Sequence, residues 1–147
     1  MLWNVRSLSN NLKFYFVLQT LIDSDIHTAC ITETWLNNGH DHILALLDSY
    51  GFSISHSFRA SRKGGGVAIL VKKELKLKKL TRNLVFDSFE WHGIRYLSKR
   101  TVCVLCIYIK QEFSLILFLE ELDKLLTSVC GNTSDHVLLT GDFNVHF

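Results

Sequence analysis

Leu138-Leu139-Thr140-Gly141-Asp142-Phe143-Asn144 is the stretch on which the reading of this chain turns. Val137 to Thr140 is a short apolar run, the pattern of a strand buried on both faces. It gives way at once to a glycine, an acid and an amide. Such residues are ordinary turn formers. They also stand where ligand sites of open sheets gather, beyond the carboxyl ends of strands. The same arrangement recurs upstream. Residues 26–32, Ile-His-Thr-Ala-Cys-Ile-Thr, read as a buried strand, and Glu33 follows immediately. Leu2 to Arg6 reads as the remainder of a strand and carries Asn4.

The pattern between these points mixes helices and strands. Asn10-Asn11 offers a helix cap, and Leu12, Tyr15, Phe16, Leu18, Leu21 and Ile22 recur at near-helical spacing over 11–23. A short helix is expected at 40–48 and a half-buried strand at 51–57. Gly64-Gly65-Gly66 punctuates before a strand at Val67–Val71. One irregular strand is expected within 84–97, and Thr101 to Ile109 is a strongly apolar strand. Residues 112–130 read as an amphipathic helix. Each of the helices at 11–23 and 112–130 leads to a short buried strand, which makes the class α/β or α+β, in layers. No internal repeat or linker interrupts the chain, so 1–147 reads as one domain.

Bulk composition narrows the function classes. Apolar residues make up 48% and charged residues 20%, a globular balance able to bury a core. The net charge of +2 is too small to identify a nucleic-acid partner, so any such attraction must be local. Cys30, Cys103, Cys106 and Cys130 lie in apolar stretches and read as reduced thiols of an intracellular protein. No apolar run approaches the roughly 18 residues of a membrane span. Proline is absent, against a usual frequency of about 5%.

Two carboxylates, Glu33 and Asp142, and two amides, Asn4 and Asn144, brought together at strand ends suit a hard cation such as Mg²⁺. Such an ion polarises a phosphoryl oxygen and activates water. Four motifs then occur in order: Trp3-Asn4-Val5-Arg6-Ser7-Leu8, Ile31-Thr32-Glu33-Thr34-Trp35-Leu36, Gly64-Gly65-Gly66-Val67-Ala68-Ile69 and Leu138 to His146. Together they resemble the endonuclease/exonuclease/phosphatase superfamily, most of all the apurinic-type endonuclease domain of non-LTR (LINE-like) retrotransposons. The resemblance implies a four-layer α/β/β/α sandwich. It implies metal binding at Glu33, with Asn4 assisting and Mg²⁺ (or Mn²⁺) as cofactor. It places Asp142 at the nucleophilic water, and Asn144 and Tyr108 at the scissile phosphate. DNA is the implied partner, nicked on one strand, and the nucleus the implied location. Another phosphoesterase of the superfamily, or a non-enzymatic remnant or binding module, remains open.

Departures from the pattern are as informative. These retrotransposon domains usually carry Arg-Pro-Pro after the tyrosine, where Ile109, Lys110 and Gln111 stand, which accounts for part of the missing proline. The resemblance implies a chain truncated at both ends. Most of the strand before Asn4 is absent, as are a later Asp and a late Ser-Asp-His motif that holds the catalytic histidine. Ser134-Asp135-His136 spells that motif, but it precedes the Gly-Asp-Phe-Asn run and is not assigned catalysis. The expectation is a half-domain that contributes mainly one mixed sheet with its outer helices and is inactive alone. Its uncovered apolar sheet face would mark an interface or an aggregation liability.

The remaining features read mainly as structural. Cys103 and Cys106 form a C-x-x-C, but three positions apart on a strand they face opposite sides. The glycine triplet precedes a strand, whereas a P-loop opens a helix. Lys72, Lys73, Lys76, Lys78, Lys79 and Arg82, with Arg59, Arg62 and Lys63 nearby, form either a backbone-tracking patch for DNA or a lysine-protected hairpin edge. His146 matches a family histidine and is a weak candidate ligand. Phe89-Glu90 resembles a recurrent family Phe-Glu, with a structural role equally open.

Overall fold

The computed structural model describes residues 1–57, 64–80, 84–97, 101–110, 113–129 and 136–144. Among them the chain runs β1 (Leu2–Asn4), α1 (Asn11–Asp23), β2 (Thr28–Thr32), α2 (Asp41–Ser49), β3 (Phe52–Ser57), β4 (Val67–Lys72), β5 (Leu77–Lys79), β6 (Phe89–Tyr96), β7 (Val102–Ile109), α3 (Leu115–Val129) and β8 (His136–Asp142). Helix α1 starts where the amide of Asn10 accepts a hydrogen bond from Lys13 N at 3.2 Å. That capping bond satisfies one of the donors a helix start leaves unpaired. The stretch expected to hold an irregular strand contains the regular eight-residue β6. The short β5 lies within the lysine run.

These strands form two four-stranded sheets, in the orders β1-β2-β4-β3 and β5-β6-β7-β8. Each sheet is mixed: β1–β2 and β7–β8 are parallel, and the other pairs are antiparallel. The α/β class and the layered sandwich agree with the sequence. The expectation of mainly one sheet with a bare inner face is corrected, because the strands divide evenly and each sheet covers the other. Cys30, Val67, Ile69 and Val71 of one sheet cluster with Ile94, Val104, Cys106 and Tyr108 of the other. Outside this layer, Phe14, Val17, Leu18 and Leu21 of α1 and Ile43 and Leu47 of α2 pack on Ala29, Ile31, Ala68 and Leu70. On the far side, Phe118, Leu125 and Val129 of α3 pack on Phe89, Trp91, Cys103, Leu105 and Ile107.

Exposed apolar side chains lie at the sheet edges and on the helices rather than across a bare sheet face. Leu2, Val137 and Leu138 sit on the edge strands β1 and β8, and Leu12, Phe16, Leu115, Ile116 and Leu119 on outer helix surfaces. Cys103 points to the α3 side and Cys106 to the inter-sheet side, so the C-x-x-C pair is split by the pleat. Cys30, Cys103 and Cys106 are buried and free, and Cys130 lies outside the described residues. No helix among the described residues is long and apolar enough to cross a membrane.

Glu121, on α3, is a buried acid with an evident task. Its carboxylate accepts hydrogen bonds from Asp87 N and Ser88 N, both at 2.9 Å, and from Ser88 Oγ at 2.5 Å. It thereby ties the segment entering β6 to the helix. Burial opposes ionisation, but the bonds from Ser88 and Asp87 and the charge of Lys110 outweigh it and hold the carboxyl below its usual value. A depressed folded-state pKa stabilises the fold above the unfolded value, and that contribution disappears as pH falls through the folded one. Glu121→Gln is expected to be less stable in urea denaturation near pH 7, with the gap to the parent closing below about pH 4. A gap that stays constant into that acid range would show that the charge is not what the bonds use.

Candidate active site

The carboxyl ends of the parallel pairs β1–β2 and β7–β8 emerge at the same end of the sandwich. In one sheet Asn4 lies beside Thr32, with Glu33 next in the chain. In the other, Tyr108 lies beside Asp142. Because the sheets face each other, these four residues meet. Asn4 Nδ2 donates to Glu33 Oε1 at 2.9 Å and to Asp142 Oδ2 at 2.7 Å, so one amide nitrogen joins the two carboxylates across the sheets. Tyr108 Oη donates to Glu33 Oε1 at 3.3 Å. Asn144 N donates to Asp142 Oδ1 at 3.1 Å, and its side-chain Nδ2 to Ile109 O at 2.5 Å.

Tyr108 records the electrostatics of the cluster. Burial first, and then the negative charge of Glu33, raise its phenol above the ordinary value. A hydrogen bond from Asn144 opposes this, whereas donation to Glu33 and the charge of Asp142 reinforce it. The phenol thus stays protonated and available as a donor.

Local backbone geometry is unusual here. Positive φ angles occur at Arg6 (45°), Ser7 (96°), Glu33 (54°), Trp35 (53°) and Asn144 (47°), all just beyond the strand ends that form the site. A left-handed conformation is costly for residues other than glycine, so the surroundings must enforce it. They do so from both sides. Glu33 O and Thr34 O accept from Ser7 N and Leu8 N, each at 2.8 Å. Thr34 N and Trp35 N donate to Gly66 O at 3.2 Å and Gly65 O at 3.0 Å. Gly65 and Gly66 thus brace the Glu33 segment. Gly66 has φ +86°, and a Cβ there would lie 2.5 Å from Thr34 Oγ1.

Asn4, Glu33, Tyr108, Asp142 and Asn144 are therefore brought together. The basic candidates are not. Lys72 and Lys73 lie at the opposite end of β4 and pair with Asp25 and Asp48. Thr28, at the start of β2, faces Val71, whereas Thr32, next to Glu33, faces Val67. Lys72 and Lys73 thus stand at the end of the sheet away from Glu33. Arg59, Arg62, Lys63 and His146 lie outside the described residues. His136 pairs with Val102, at the other end of β8 from Asp142. Among the described residues no group of three or more His, Cys, Asp and Glu side chains gathers as a metal cage. The donors at hand are two carboxylates and an amide, all hard oxygen ligands.

This architecture is a layered α/β sandwich of two facing mixed sheets, with acids and amides gathered at one end. The chain matches the Endonuclease/Exonuclease/phosphatase family over residues 1–147, and it belongs to that family. Solved structures agree on the fold. The endonuclease domain of TRAS1, a telomere-specific non-LTR retrotransposon, superposes with a TM-score of 0.70 at 12% identity, covering 99% of this chain and 59% of its own. ANGEL2, a 2',3'-cyclic phosphatase, gives 0.74 at 20% identity, covering 97% and 51%. D. rerio TDP2, complexed with single-strand DNA product, gives 0.67 at 13% identity, covering 99% and 60%. This chain thus spans between half and three-fifths of these structures. No curated protein sequence matches it.

Gly141 offers a sharp test of how the site is assembled. A Cβ there would stand 1.9 Å from Ile107 O on the neighbouring strand, with φ at +148°. Gly141→Ala is expected to force β8 away from β7 immediately before Asp142, lowering stability by about 3 kcal/mol. Chemical denaturation measures this, and an alanine variant as stable as the parent would contradict the β7–β8 register.

Proposed function

We propose that this chain carries the metal- and phosphate-binding part of a Mg²⁺-dependent phosphodiesterase whose substrate is DNA, nicked on one strand. The single observation that carries this reading is the Asn4 amide, which joins Glu33 of one sheet to Asp142 of the other. Two carboxylates held this close repel when both are ionised, and a cation between them relieves that. Mg²⁺ suits the donor set, because it binds through one or two carboxylates and keeps several waters. Mn²⁺ would serve at the same oxygens.

In this reading Glu33 is the principal ligand, and Asn4 sets the orientation of both acids. A bound Mg²⁺ would supply Lewis-acid polarisation of a phosphoryl oxygen. Asp142, with both oxygens oriented by hydrogen bonds, positions the attacking water and takes up its proton. Tyr108 and Asn144 offer donors to the phosphate oxygens. DNA is favoured over other phosphodiesters by the ordered retrotransposon-like motifs and by the TRAS1 likeness in fold. A nuclear location follows only from that substrate. Residues 1–147 span only half to three-fifths of the solved structures they match, and alone they are read as inactive or nearly so.

Calorimetric titration of Mg²⁺ into the protein is expected to show one site, weakened about tenfold or more by Glu33→Gln or Asp142→Asn. Undiminished binding in both variants would overturn the metal assignment. With supercoiled plasmid and Mg²⁺, little or no nicking is expected. Robust nicking abolished by Glu33→Ala and Asp142→Ala would contradict the inactivity of the chain alone. Preferred hydrolysis of RNA or a phospholipid headgroup would replace DNA as the substrate class.

A further inference from the structure

Glu90 lies on β6 directly opposite Tyr108 on β7, so its side chain leaves the sheet toward the other sheet. There its Oε2 accepts a hydrogen bond from Gly66 N at 2.6 Å. Gly66 is buried, and its carbonyl is the acceptor for Thr34 N, while the adjacent Gly65 carbonyl takes Trp35 N. These two residues flank the peptide units that hold Glu33 and Trp35 at φ 54° and 53°. A continuous chain of hydrogen bonds therefore runs from β6 of one sheet, through the glycine turn, to the strained segment that carries Glu33 in the other.

We propose that Glu90 is a positioning residue for the metal site, a strut across the sandwich that fixes the Gly65-Gly66 turn and through it the Glu33 backbone. The inference rests on the reading of Glu33 as metal ligand. A charged acceptor forms a stronger bond to a backbone N–H than a neutral one, which suits a segment that must be held against its own conformational preference. Without the strut, the turn loses its anchor on the opposite sheet. Glu33 and Trp35 are then free to relax toward ordinary φ values, which rotates the Glu33 carboxylate away from Asn4 and Asp142.

The test compares Glu90→Ala, Glu90→Asp and Glu90→Gln with the parent protein. Mn²⁺ affinity is measured by electron paramagnetic resonance, and hydrogen exchange of the Thr34 and Trp35 amides by NMR. Groups that orient a ligand typically cost about 10–100-fold in metal affinity when removed. Glu90→Ala is expected to fall in that range, with faster exchange at both amides. Glu90→Asp keeps the charge but withdraws the carboxylate from Gly66 N, and it is expected to behave similarly. It also decides the matter if the alanine variant does not fold. Glu90→Gln keeps an acceptor oxygen in reach and should recover to within about threefold of the parent. Folded Glu90→Ala or Glu90→Asp protein with parental Mn²⁺ affinity and unchanged exchange would overturn the proposal. Glu33→Gln is the separating control. If it binds Mn²⁺ like the parent, the metal reading fails, while exchange at Thr34 and Trp35 still decides whether Glu90 holds the segment.

Discussion

The packing of one sheet on the other is the constraint on which the rest of this molecule depends. Asn4 and Asp142 are separated by 138 positions in the chain, yet they share a hydrogen bond. Only the inter-sheet layer makes that possible. Val67, Ile69 and Val71 meet Ile94, Val104 and Cys106, and the β1–β2 and β7–β8 strand ends are left at a common edge. Neither sheet alone holds two carboxylates of the cluster. The apolar packing that stabilises the fold is also what assembles the chemistry.

Strain is concentrated where the sheets meet the site. The left-handed residues Arg6, Ser7, Glu33, Trp35 and Asn144 would relax if their neighbours allowed it. The backbone groups of Glu33, Thr34 and Trp35 are taken up by Ser7, Leu8 and the glycine turn, and Gly141 lets β8 approach β7 without a side chain between them. Glycine is required at Gly66 and Gly141 for different reasons. At Gly66 a methyl would meet the Thr34 hydroxyl, and at Gly141 it would meet backbone, which cannot give way. This is how a small, half-buried cluster acquires fixed geometry.

Much of this was legible in the sequence, and the remainder was hidden for identifiable reasons. Asn10 as a cap, the 3.6-residue period of α1, and the buried runs of β4 and β7 are local signals, and they describe the elements well. The pairing of acids and amides with strand ends pointed to the cluster. The allocation of strands to two sheets was not legible, because alternation shows that a strand is half-buried but not which sheet it joins. The short β5 was concealed by its lysines, which protect an edge strand and read equally well as a charged patch. The ion pairs of Lys72 with Asp25 and of Lys73 with Asp48 were not legible, because those partners are distant in sequence. Glu90 could not be assigned from sequence, since its bond to Gly66 exists only once the sheets are packed.

In the proposed function, Glu33 holds one divalent cation between the two sheets, beside Asn4 and Asp142. Anomalous scattering from crystals equilibrated with Mn²⁺ tests it most directly. The account predicts a single strong peak at about 2.0–2.3 Å from a Glu33 carboxylate oxygen, with Asn4 turned to offer its carbonyl oxygen or to release the acids. A crystal saturated with Mn²⁺ in which Asn4 still joins Glu33 to Asp142, with no peak beside either, would contradict it.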